Sequence, residues 1–473
     1  MNLNESSQQQ QQTSILWRNL SYNYHNPLGL NNNNNNNEKS SILQCLNGHL
    51  CYQTLNGLLG PSGSGKTTLL KCLSGRIKSG LNVHTEIYLN STESKRLTKT
   101  IRFIEQNDKN VYGHMTVRQI LSYAFHFKNN QSHLYDIDSH ISIIMNDLLL
   151  DETTILDRRF EQCSGGEQHR IIIAQELMSL KQPTFLFIDE PTTGLDSNSA
   201  LLLMKCLWRL SQHNRMTIFV SIHSPNSDIM KLFDKIYILA KDGVCIYSDS
   251  PKCLDEKIGQ QLNHDDDDNR LKKSSSSIEQ IIRIACNNKN HPLIQKWTKL
   301  TLENENEQFN QIMMAKNTDV DNRLKFQPKG ILIGQKCFHF KDLYIQLRRI
   351  FNIQFMIEWR NLVSIMIFYM IVFPFIASFF DEKIVQSYTN CHMVDYNGKL
   401  RNQTCYERLN NEINTNEYII YLWYCQCISG YSIMILSTIS ISSMLKMFRN
   451  EHRNRKYAKI NFLFNQRKRR ISN

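Results

Sequence analysis

The sequence lacks the cysteine patterns and the leader that would indicate a metal-binding or secreted protein. Its 13 cysteines contain no C-x-x-C pair and no Cys/His spacing typical of a metal site. The closely spaced Cys425 and Cys427 lie inside an apolar run. Residues 1–12 are hydrophilic and rich in glutamine, so we expect no cleavable signal peptide there. We therefore predict that the N-terminal part of the chain lies in the reducing cytosol.

Length and charge indicate more than one domain and an anionic surface as partner. The chain has 473 residues, which suggests two units with linkers. Its net charge of +12 is compatible with nucleic acid or with an anionic membrane. The basic residues cluster beside apolar stretches near the C-terminus, and this distribution favours the membrane. We predict a membrane-lipid partner and no nucleic acid.

Two polar segments near the N-terminus have too few apolar side chains to bury a core. We predict that residues 1–14 and 31–37 are disordered. Between them, residues 15–24 have the aromatic and β-branched composition of a strand. Tyr24 at its end is a candidate to stack on an adenine ring, and an ordinary edge-strand tyrosine is the alternative interpretation.

A glycine-rich stretch at residues 60–68 carries the strongest motif, G-x-x-x-x-G-K-[ST]. An apolar run precedes it and a helical pattern follows it. Such a loop directs backbone N–H groups and the positive end of the helix dipole toward one point, where phosphates bind. Lys66 can reach the β- and γ-phosphates, and the Thr67 hydroxyl can ligate Mg²⁺. The predicted nucleotide-binding residues of this loop are Gly60, Ser62, Gly63, Ser64, Gly65, Lys66, Thr67 and Thr68.

Two further strands end in side chains that suit phosphate chemistry. The apolar run 185–188 is typical of a strand inside a parallel sheet, and it ends at Asp189 and Glu190. Asp189 can reach the Mg²⁺ ion, and Glu190 can polarise a water for attack on the γ-phosphate. The next apolar strand, 217–222, ends at His223. A single histidine after a strand is usually structural. His223, however, adds to the phosphate loop, Asp189 and Glu190 as a further residue suited to phosphate chemistry.

A predicted helix start at Ser164 adds a candidate anion site. Ser164 and Glu167 have the spacing of a capping box, and the helix is predicted to run to residue 180. Gly165 and Gly166 lie at the same helix start, where they expose backbone N–H groups that can bind an anion.

The motifs and their order along the chain resemble the nucleotide-binding domain of ATP-binding-cassette (ABC) transporters. The match covers about residues 15–250 and includes Gln106, after a short predicted strand, and Asp196, shortly after Glu190. The resemblance implies an α/β P-loop NTPase cassette with a helical subdomain, to which a helical pattern at 116–127 corresponds. It also implies ATP and Mg²⁺ as cofactors and a dimer as the working form.

Carried over residue by residue, the resemblance implies a role for each motif. The implied catalytic residues are the general base Glu190 and two residues at the γ-phosphate, His223 and Gln106. The implied magnesium ligands are Thr67, Gln106 and Asp189. The residues that would bind the ATP of the opposite subunit are Ser164, Gly165 and Gly166, while Asp196 belongs to a loop that communicates across the dimer.

The chain departs from the family pattern at two positions. Cys163 stands where the family usually has Leu or Val, beside the anion-binding glycines. Gly57 weakens the strand that enters the phosphate loop. Neither change removes a chemical group, so we expect catalysis to be retained.

The C-terminal part of the sequence predicts membrane segments. Residues 251–340 are rich in Asp, Ser, Asn and Lys, which predicts a polar linker. Residues 341–360 have the pattern of an amphipathic connecting helix. Two charge-free runs, 361–380 and 418–445, are long enough to cross a bilayer core of ~30 Å as transmembrane helices. Buried core helices are the alternative, which their length and lack of charge disfavour.

The segments beside these runs predict an orientation. Residues 381–417 contain a glycosylation sequon at Asn402, with Cys391 and Cys405 on either side, as expected of an extracytoplasmic loop. Residues 446–473 are strongly basic, which favours a cytosolic tail. We therefore predict an integral membrane protein whose cassette and tail are cytosolic.

A cassette that precedes its membrane spans resembles subfamily G, the White/sterol-exporter half-transporters. Three short stretches are also similar to that subfamily: residues 114–118, 221–225 and 448–452. The resemblance implies ATP-driven export of a lipid, sterol or other hydrophobic small molecule by a homodimer, or by a heterodimer with another half-transporter.

The subfamily has six spans in each half, and two are predicted here. The alternative is a truncated membrane-anchored subunit that regulates a full half-transporter. A soluble cassette ATPase of translation or DNA repair is disfavoured, because such proteins lack charge-free runs of this length.

Overall fold

The computed structural model describes most of the chain up to residue 326 and scattered residues between 344 and 427. The continuous described ranges are 13–23, 41–77, 80–89, 101–106, 113–129, 135–223, 225–254, 277–287, 290–314 and 324–326. The described residues up to 326 belong to one compact unit, and those from 344 to 427 belong to a second. All elements named below are in the first unit.

The second unit is described at few positions, among which residues 367–372 are the longest helical stretch. Within the described part of the chain, no helix is long and apolar enough to span a membrane. The predicted helix 341–360 and both predicted spans lie largely outside the described residues. The predicted loop 381–417 and tail 446–473 lie wholly outside them.

The described strands form two sheets. Their bounds are β1 Thr13–Asn23, β2 Ser41–Cys51, β3 Leu55–Leu59, β4 Glu86–Leu89, β5 Ile101–Ile104, β6 Phe185–Asp189, β7 Thr217–Ile222, β8 Lys235–Ala240, β9 Val244–Asp249 and β10 Leu324–Phe326. One sheet has the described order β5-β6-β7-β3-β8-β9, and it is parallel except for the β8–β9 pair. The other is antiparallel, in the described order β10-β4-β1-β2.

The composition of the parallel strands explains their place inside the molecule. Every residue of β6 and β7 is buried, and both strands are rich in aromatic and β-branched side chains. Such continuous apolar runs belong in a sheet that is covered on both faces. On one face, Trp17 and Leu50 of the antiparallel sheet pack in one core cluster with Phe187, Phe219 and Tyr237 of the parallel sheet. The core therefore lies between the two sheets.

The described helices flank these sheets. Their bounds are α1 Lys66–Leu73, α2 Val117–Lys128, α3 Ile137–Asp147, α4 Glu152–Ile155, α5 Gly165–Leu177, α6 Ser197–His213, α7 Ser227–Met230, α8 Ser277–Ala285 and α9 Pro292–Met314. The helices from α2 to α5 lie between β5 and β6 in the chain, and α2 and α3 both pack against α5. They form the helical subdomain. The predicted capping box at Ser164 is confirmed, and α5 ends at Leu177 rather than at residue 180.

The prediction of disorder for residues 1–14 is wrong at its last two residues. β1 begins at Thr13, which pairs with Cys51 of β2. The buried hydroxyl of Ser14 donates to the Leu50 carbonyl at 2.8 Å, so the strand satisfies this polar side chain. Residues 1–12 and 31–37 lie outside the described residues.

The prediction of a polar linker at residues 251–340 is wrong for the segments that the structure describes. α8 packs against β8, α9 packs against β9 and β2, and β10 pairs with β4. Buried side chains recur along α9 at helical spacing: Ile294, Trp297, Thr301, Glu305 and Phe309. This stripe lies in a segment whose average composition is polar. Composition predicted a linker because it averages over the stripe.

Candidate nucleotide-binding site

The parallel sheet brings four sequence motifs to one edge. Residues 60–68 follow β3, Asp189 ends β6, His223 follows β7, and Gln106 lies just beyond β5. The strands pair in a register that places Asp189 beside Ser221. Because the carboxyl ends of parallel strands share one edge, these groups lie in the crevice where open α/β sheets bind ligands.

The phosphate loop, residues 60–68, has a backbone shape that requires glycine. Gly60, Gly63 and Gly65 have φ angles of +146°, +79° and +94°. A Cβ on Gly60 would lie 2.3 Å from the Leu239 carbonyl oxygen, so no side chain fits there. The Ser64 hydroxyl is buried and has no hydrogen-bond partner among the described residues. A glycine-rich loop at a helix start, with a buried hydroxyl that has no described partner, suits an anionic group.

Lys66 begins α1, and its ammonium folds back onto the loop. Nζ donates to the carbonyl oxygens of Gly60 and Pro61 at 2.9 and 3.0 Å and lies 3.9 Å from Glu190 Oε1. Burial lowers the pKa of the Lys66 ammonium, while the Glu190 and Asp189 carboxylates act to raise it. A phosphate in the loop would offer this ammonium a charged acceptor, which is stronger than two neutral carbonyls. The loop serine Ser62 is exposed, and Thr68 lies in the first turn of α1.

Thr67 and Asp189 form an oxygen-rich pair below the loop. Thr67 Oγ1 donates to Asp189 Oδ2 at 2.8 Å. Hydroxyl and carboxylate oxygens are ligands that Mg²⁺ prefers, so this donor set fits a magnesium ion. The third predicted ligand, Gln106, donates through Nε2 to Glu190 instead. The structure thus brings Thr67 and Asp189 together and places Gln106 beside the carboxylate of Glu190.

Glu190 is held from several sides. His223 Nε2 lies 2.7 Å from Oε1, while Gln106 Nε2 and, at 3.4 Å, the Thr193 hydroxyl donate to Oε2. The residue is 9% exposed, and its φ of +49° is unusual for any residue other than glycine. Backbone strain of this kind recurs at functional sites. The predicted base therefore lies in a fixed position, with His223, Gln106 and Lys66 around it.

Ser221 is a site residue that the motifs do not predict. Its Oγ donates to Asp189 Oδ1 at 2.7 Å and accepts from the Glu190 backbone N–H at 2.8 Å. The available signal was a serine in an apolar strand, two residues before His223. Its significance depends on the pairing of β6 with β7, which the motifs do not specify.

The signature segment, Ser164, Gly165 and Gly166, lies at the start of α5. Among the described residues, no hydrogen bond or ion pair joins it to the phosphate loop of its own chain. A Cβ on Gly166 would lie 3.0 Å from Ser199 Cβ, so this helix start packs against the start of α6. There Asp196 accepts from the Ser199 N–H at 3.0 Å. Asp196 therefore has a capping role within its own chain, next to the signature segment.

Three other sequence expectations have different outcomes. Tyr24 lies outside the described residues. Gly57 is in the fully buried β3, where a Cβ would lie 3.2 Å from the Phe233 ring, so close packing favours glycine there. The buried Cys163 donates through Sγ to the Arg159 carbonyl at 3.5 Å, and burial raises the pKa of its thiol. Cys163 is thus a packing residue with low thiolate character.

Comparison with known proteins identifies the same region. A family model described as ABC transporter matches residues 43–193. ABC transporter G family member 11 of Arabidopsis thaliana is 33% identical over 216 residues, which are 43% of this chain and 29% of that protein. Member 25 of the same family and organism is 34% identical over 215 residues, 44% of this chain and 32% of that protein. This chain spans about a third of the length of these relatives. A solved dimeric cassette of a bacterial ABC transporter is 23% identical, with 50% of this chain and 98% of that chain covered and a TM-score of 0.39.

The parallel sheet, its phosphate loop and the carboxylates at its edge, together with the match over residues 43–193, show that this part of the chain is a nucleotide-binding cassette similar to those of the ABC transporter class. Within that class, the chain is related to subfamily G.

Proposed function

We propose that this chain binds ATP with Mg²⁺ and hydrolyses it to drive export of a lipid, sterol or other hydrophobic small molecule across a membrane. One observation carries the ATPase part of the proposal. Lys66, the Thr67–Asp189 pair and the enclosed carboxylate of Glu190 lie together at the carboxyl edge of the parallel sheet.

The residues of the phosphate loop and its surroundings divide the task of binding. The loop amides and Lys66 bind the phosphates, and the Ser64 hydroxyl is a further donor. Thr67 and Asp189 hold the magnesium ion, with the amide oxygen of Gln106 as a third ligand. A magnesium ion held by these residues would supply positive charge opposite the phosphates. We also assign to Tyr24 the stacking contact with the adenine ring.

Glu190 acts as the general base for hydrolysis. As the water oxygen bonds to the γ-phosphorus, its proton passes to the Glu190 carboxylate. The bond from that phosphorus to the oxygen bridging the β- and γ-phosphates breaks, which gives ADP and phosphate. His223 and Gln106 keep the carboxylate in place through their contacts with its two oxygens. Both side chains can then turn toward the γ-phosphate.

The Glu190→Gln variant tests this assignment. Glutamine still hydrogen-bonds the water but does not take its proton, so we expect turnover to fall by about 10²–10⁴-fold while ATP still binds. Lys66→Ala is the matched comparison, since it should weaken nucleotide binding itself. Turnover and binding of a fluorescent ATP analogue are measured on the purified full chain. Wild-type turnover in Glu190→Gln would overturn the role of Glu190.

The signature segment, in which Ser164 and Gly165 are exposed, supports a dimer in which each ATP lies between two cassettes. Among the described residues it has no hydrogen bond to the phosphate loop of its own chain, and the backbone N–H groups at a helix start can bind an anion. A second copy of this chain, or another half-transporter, would place its phosphate loop against this segment. Closure of the pair on ATP and its opening after hydrolysis would then drive the membrane segments between two states.

The charge-free runs 361–380 and 418–445 support a membrane location. We assign the cassette and the basic tail to the cytosol and Asn402 to the opposite side. Synthesis with microsomes tests the orientation, because Asn402 should then be glycosylated and an Asn402→Gln chain should not. Release of the wild-type chain from membranes by alkaline carbonate would overturn the membrane assignment.

A further inference from the structure

The hydroxyl of Ser221 contacts both carboxylate residues of the site. Ser221 is 0% exposed and lies in β7 opposite Asp189 of β6. Its Oγ is 2.7 Å from Asp189 Oδ1 and 2.8 Å from the backbone nitrogen of Glu190. A single buried hydroxyl thus connects the proposed magnesium ligand to the proposed base.

The direction of these two hydrogen bonds is fixed. The Glu190 N–H can only donate, so Ser221 Oγ accepts from it and must give its own proton to another acceptor. That acceptor is Asp189 Oδ1. Oδ2 of the same carboxylate then faces Thr67. Ser221 therefore determines which oxygen of Asp189 is left for the magnesium side of the site.

The same hydroxyl supports the strained backbone of Glu190. The residue has a φ of +49°, which places its N–H toward β7. Without an acceptor this buried N–H would be unsatisfied, and the backbone would shift to find one. Such a shift would move the carboxylate away from its contacts with His223 and Gln106.

We propose that Ser221 is a positioning residue for ATP hydrolysis, which orients Asp189 toward magnesium and holds Glu190 in its reactive conformation. The inference rests on the proposed ATPase function. It assigns a joint role in metal binding and base placement to a residue for which the sequence motifs predicted no chemical role. A purely structural serine would instead affect folding alone.

Ser211 provides a matched control for the loss of a buried hydroxyl. It is also 0% exposed, and its Oγ donates to the Trp208 carbonyl at 2.7 Å within α6. Ser211→Ala and Ser221→Ala therefore remove the same group from equally buried positions. Ser221→Thr retains the hydroxyl at the site and is the conservative variant.

The experiment compares the three variants with the wild-type full chain. We expect Ser221→Ala to lower kcat by about 10–100-fold and to raise the Mg²⁺ concentration needed for half-maximal turnover, as for other residues that orient metal ligands. The KM for ATP should change little, because the phosphate loop is intact. Ser221→Thr should recover most of the activity, and Ser211→Ala should retain all of it.

A second measurement needs no nucleotide. Hydrogen exchange of the Glu190 amide should be faster in Ser221→Ala than in the wild type, and unchanged in Ser211→Ala. Normal kcat, Mg²⁺ dependence and hydrogen exchange in Ser221→Ala would overturn the role of Ser221 and leave the proposed ATPase function in place. Absence of ATP binding and turnover in the wild type would overturn the proposed function and, with it, the role of Ser221.

Discussion

Two glycines of the phosphate loop differ in what surrounds them, although both have positive φ angles. A Cβ on Gly60 would lie 2.3 Å from the Leu239 carbonyl oxygen and 2.9 Å from Ser64 Oγ. A Cβ on Gly63 would have no heavy atom within 4 Å. The loop therefore needs glycine at position 60 because a side chain has no space there. At position 63 it needs glycine only because of the positive φ angle.

This difference predicts unequal effects of the same substitution. Gly63→Ala should cost about 1–2 kcal/mol of backbone strain and leave nucleotide binding measurable. Gly60→Ala must also displace a backbone carbonyl of β8, so it should lower both the Tm and the affinity for a fluorescent ATP analogue much further. Titration and thermal unfolding of the two variants check this. Equal losses in both variants would contradict the described shape of the loop.

The predictable and unpredictable residues of the site differ in what fixes their position. Lys66, Thr67, Asp189 and Glu190 were predictable, because each lies next to a strand end or helix start that the sequence marks. Ser221 acts through its register with a neighbouring strand, and no local pattern specifies that register.

At the scale of secondary structure, α9 is joined to the cassette by a buried charge cluster. Glu305 is 2% exposed and lies 2.7 Å from Lys235 Nζ and 3.2 Å from His49 Nδ1. The Ser248 hydroxyl also donates to it at 2.6 Å. Burial acts to raise the pKa of Glu305, but the Lys235 charge and the His49 contacts outweigh it and lower this pKa to about 2.

Glu305→Gln should loosen α9 because it leaves the charge of Lys235 without its partner. We expect a loss of about 3 kcal/mol in stability, with faster hydrogen exchange in α9. Glu307→Gln, at an exposed position of the same helix, is the control and should change little. Similar exchange in both variants would contradict a stabilising role for the cluster.

The stability difference between wild type and Glu305→Gln should depend on pH, and the direction of the Glu305 pKa shift determines how. The folded-state pKa of Glu305 is lowered, so its contribution is complete above the unfolded-state value of about 4.3 and is lost as the pH falls toward 2. The stability gap between wild type and Glu305→Gln should be constant above about pH 5.5 and narrow below about pH 4.5.

The segment that carries Glu305 also shows where composition and periodicity disagree. Its polar average predicted a linker, while its buried positions repeat with the period of a helix. Periodicity reports which face of an element can be buried, and average composition does not. β10 contains Leu324, Lys325 and Phe326 and gains its strand conformation from pairing with β4, which no local pattern specifies.

At the scale of the whole molecule, the proposed dimer assigns to the cassette of one chain the parts of two different half-sites. Lys66, Thr67, Asp189 and Glu190 form one half, at the edge of the sheet. The signature segment forms the other, at the start of α5. Within the described residues these halves are not hydrogen-bonded to each other. In the proposed dimer, a second cassette would complete each site, and in a homodimer the two chains would be related by two-fold symmetry.

Mixed dimers test this arrangement. A Lys66→Ala chain and a Gly165→Asp chain should each be inactive alone, because each homodimer has the same lesion in both of its shared sites. In a mixed dimer, one site carries both lesions and the other carries none. An equal mixture that assembles at random should therefore regain about one quarter of wild-type ATPase activity, if the two sites are independent and the chain forms homodimers. The Gly165→Asp chain must still bind ATP, since its phosphate loop is intact, and different tags on the two chains show that mixed dimers form. Co-purified mixed dimers without recovered activity would mean that the signature segment does not complete the partner's site.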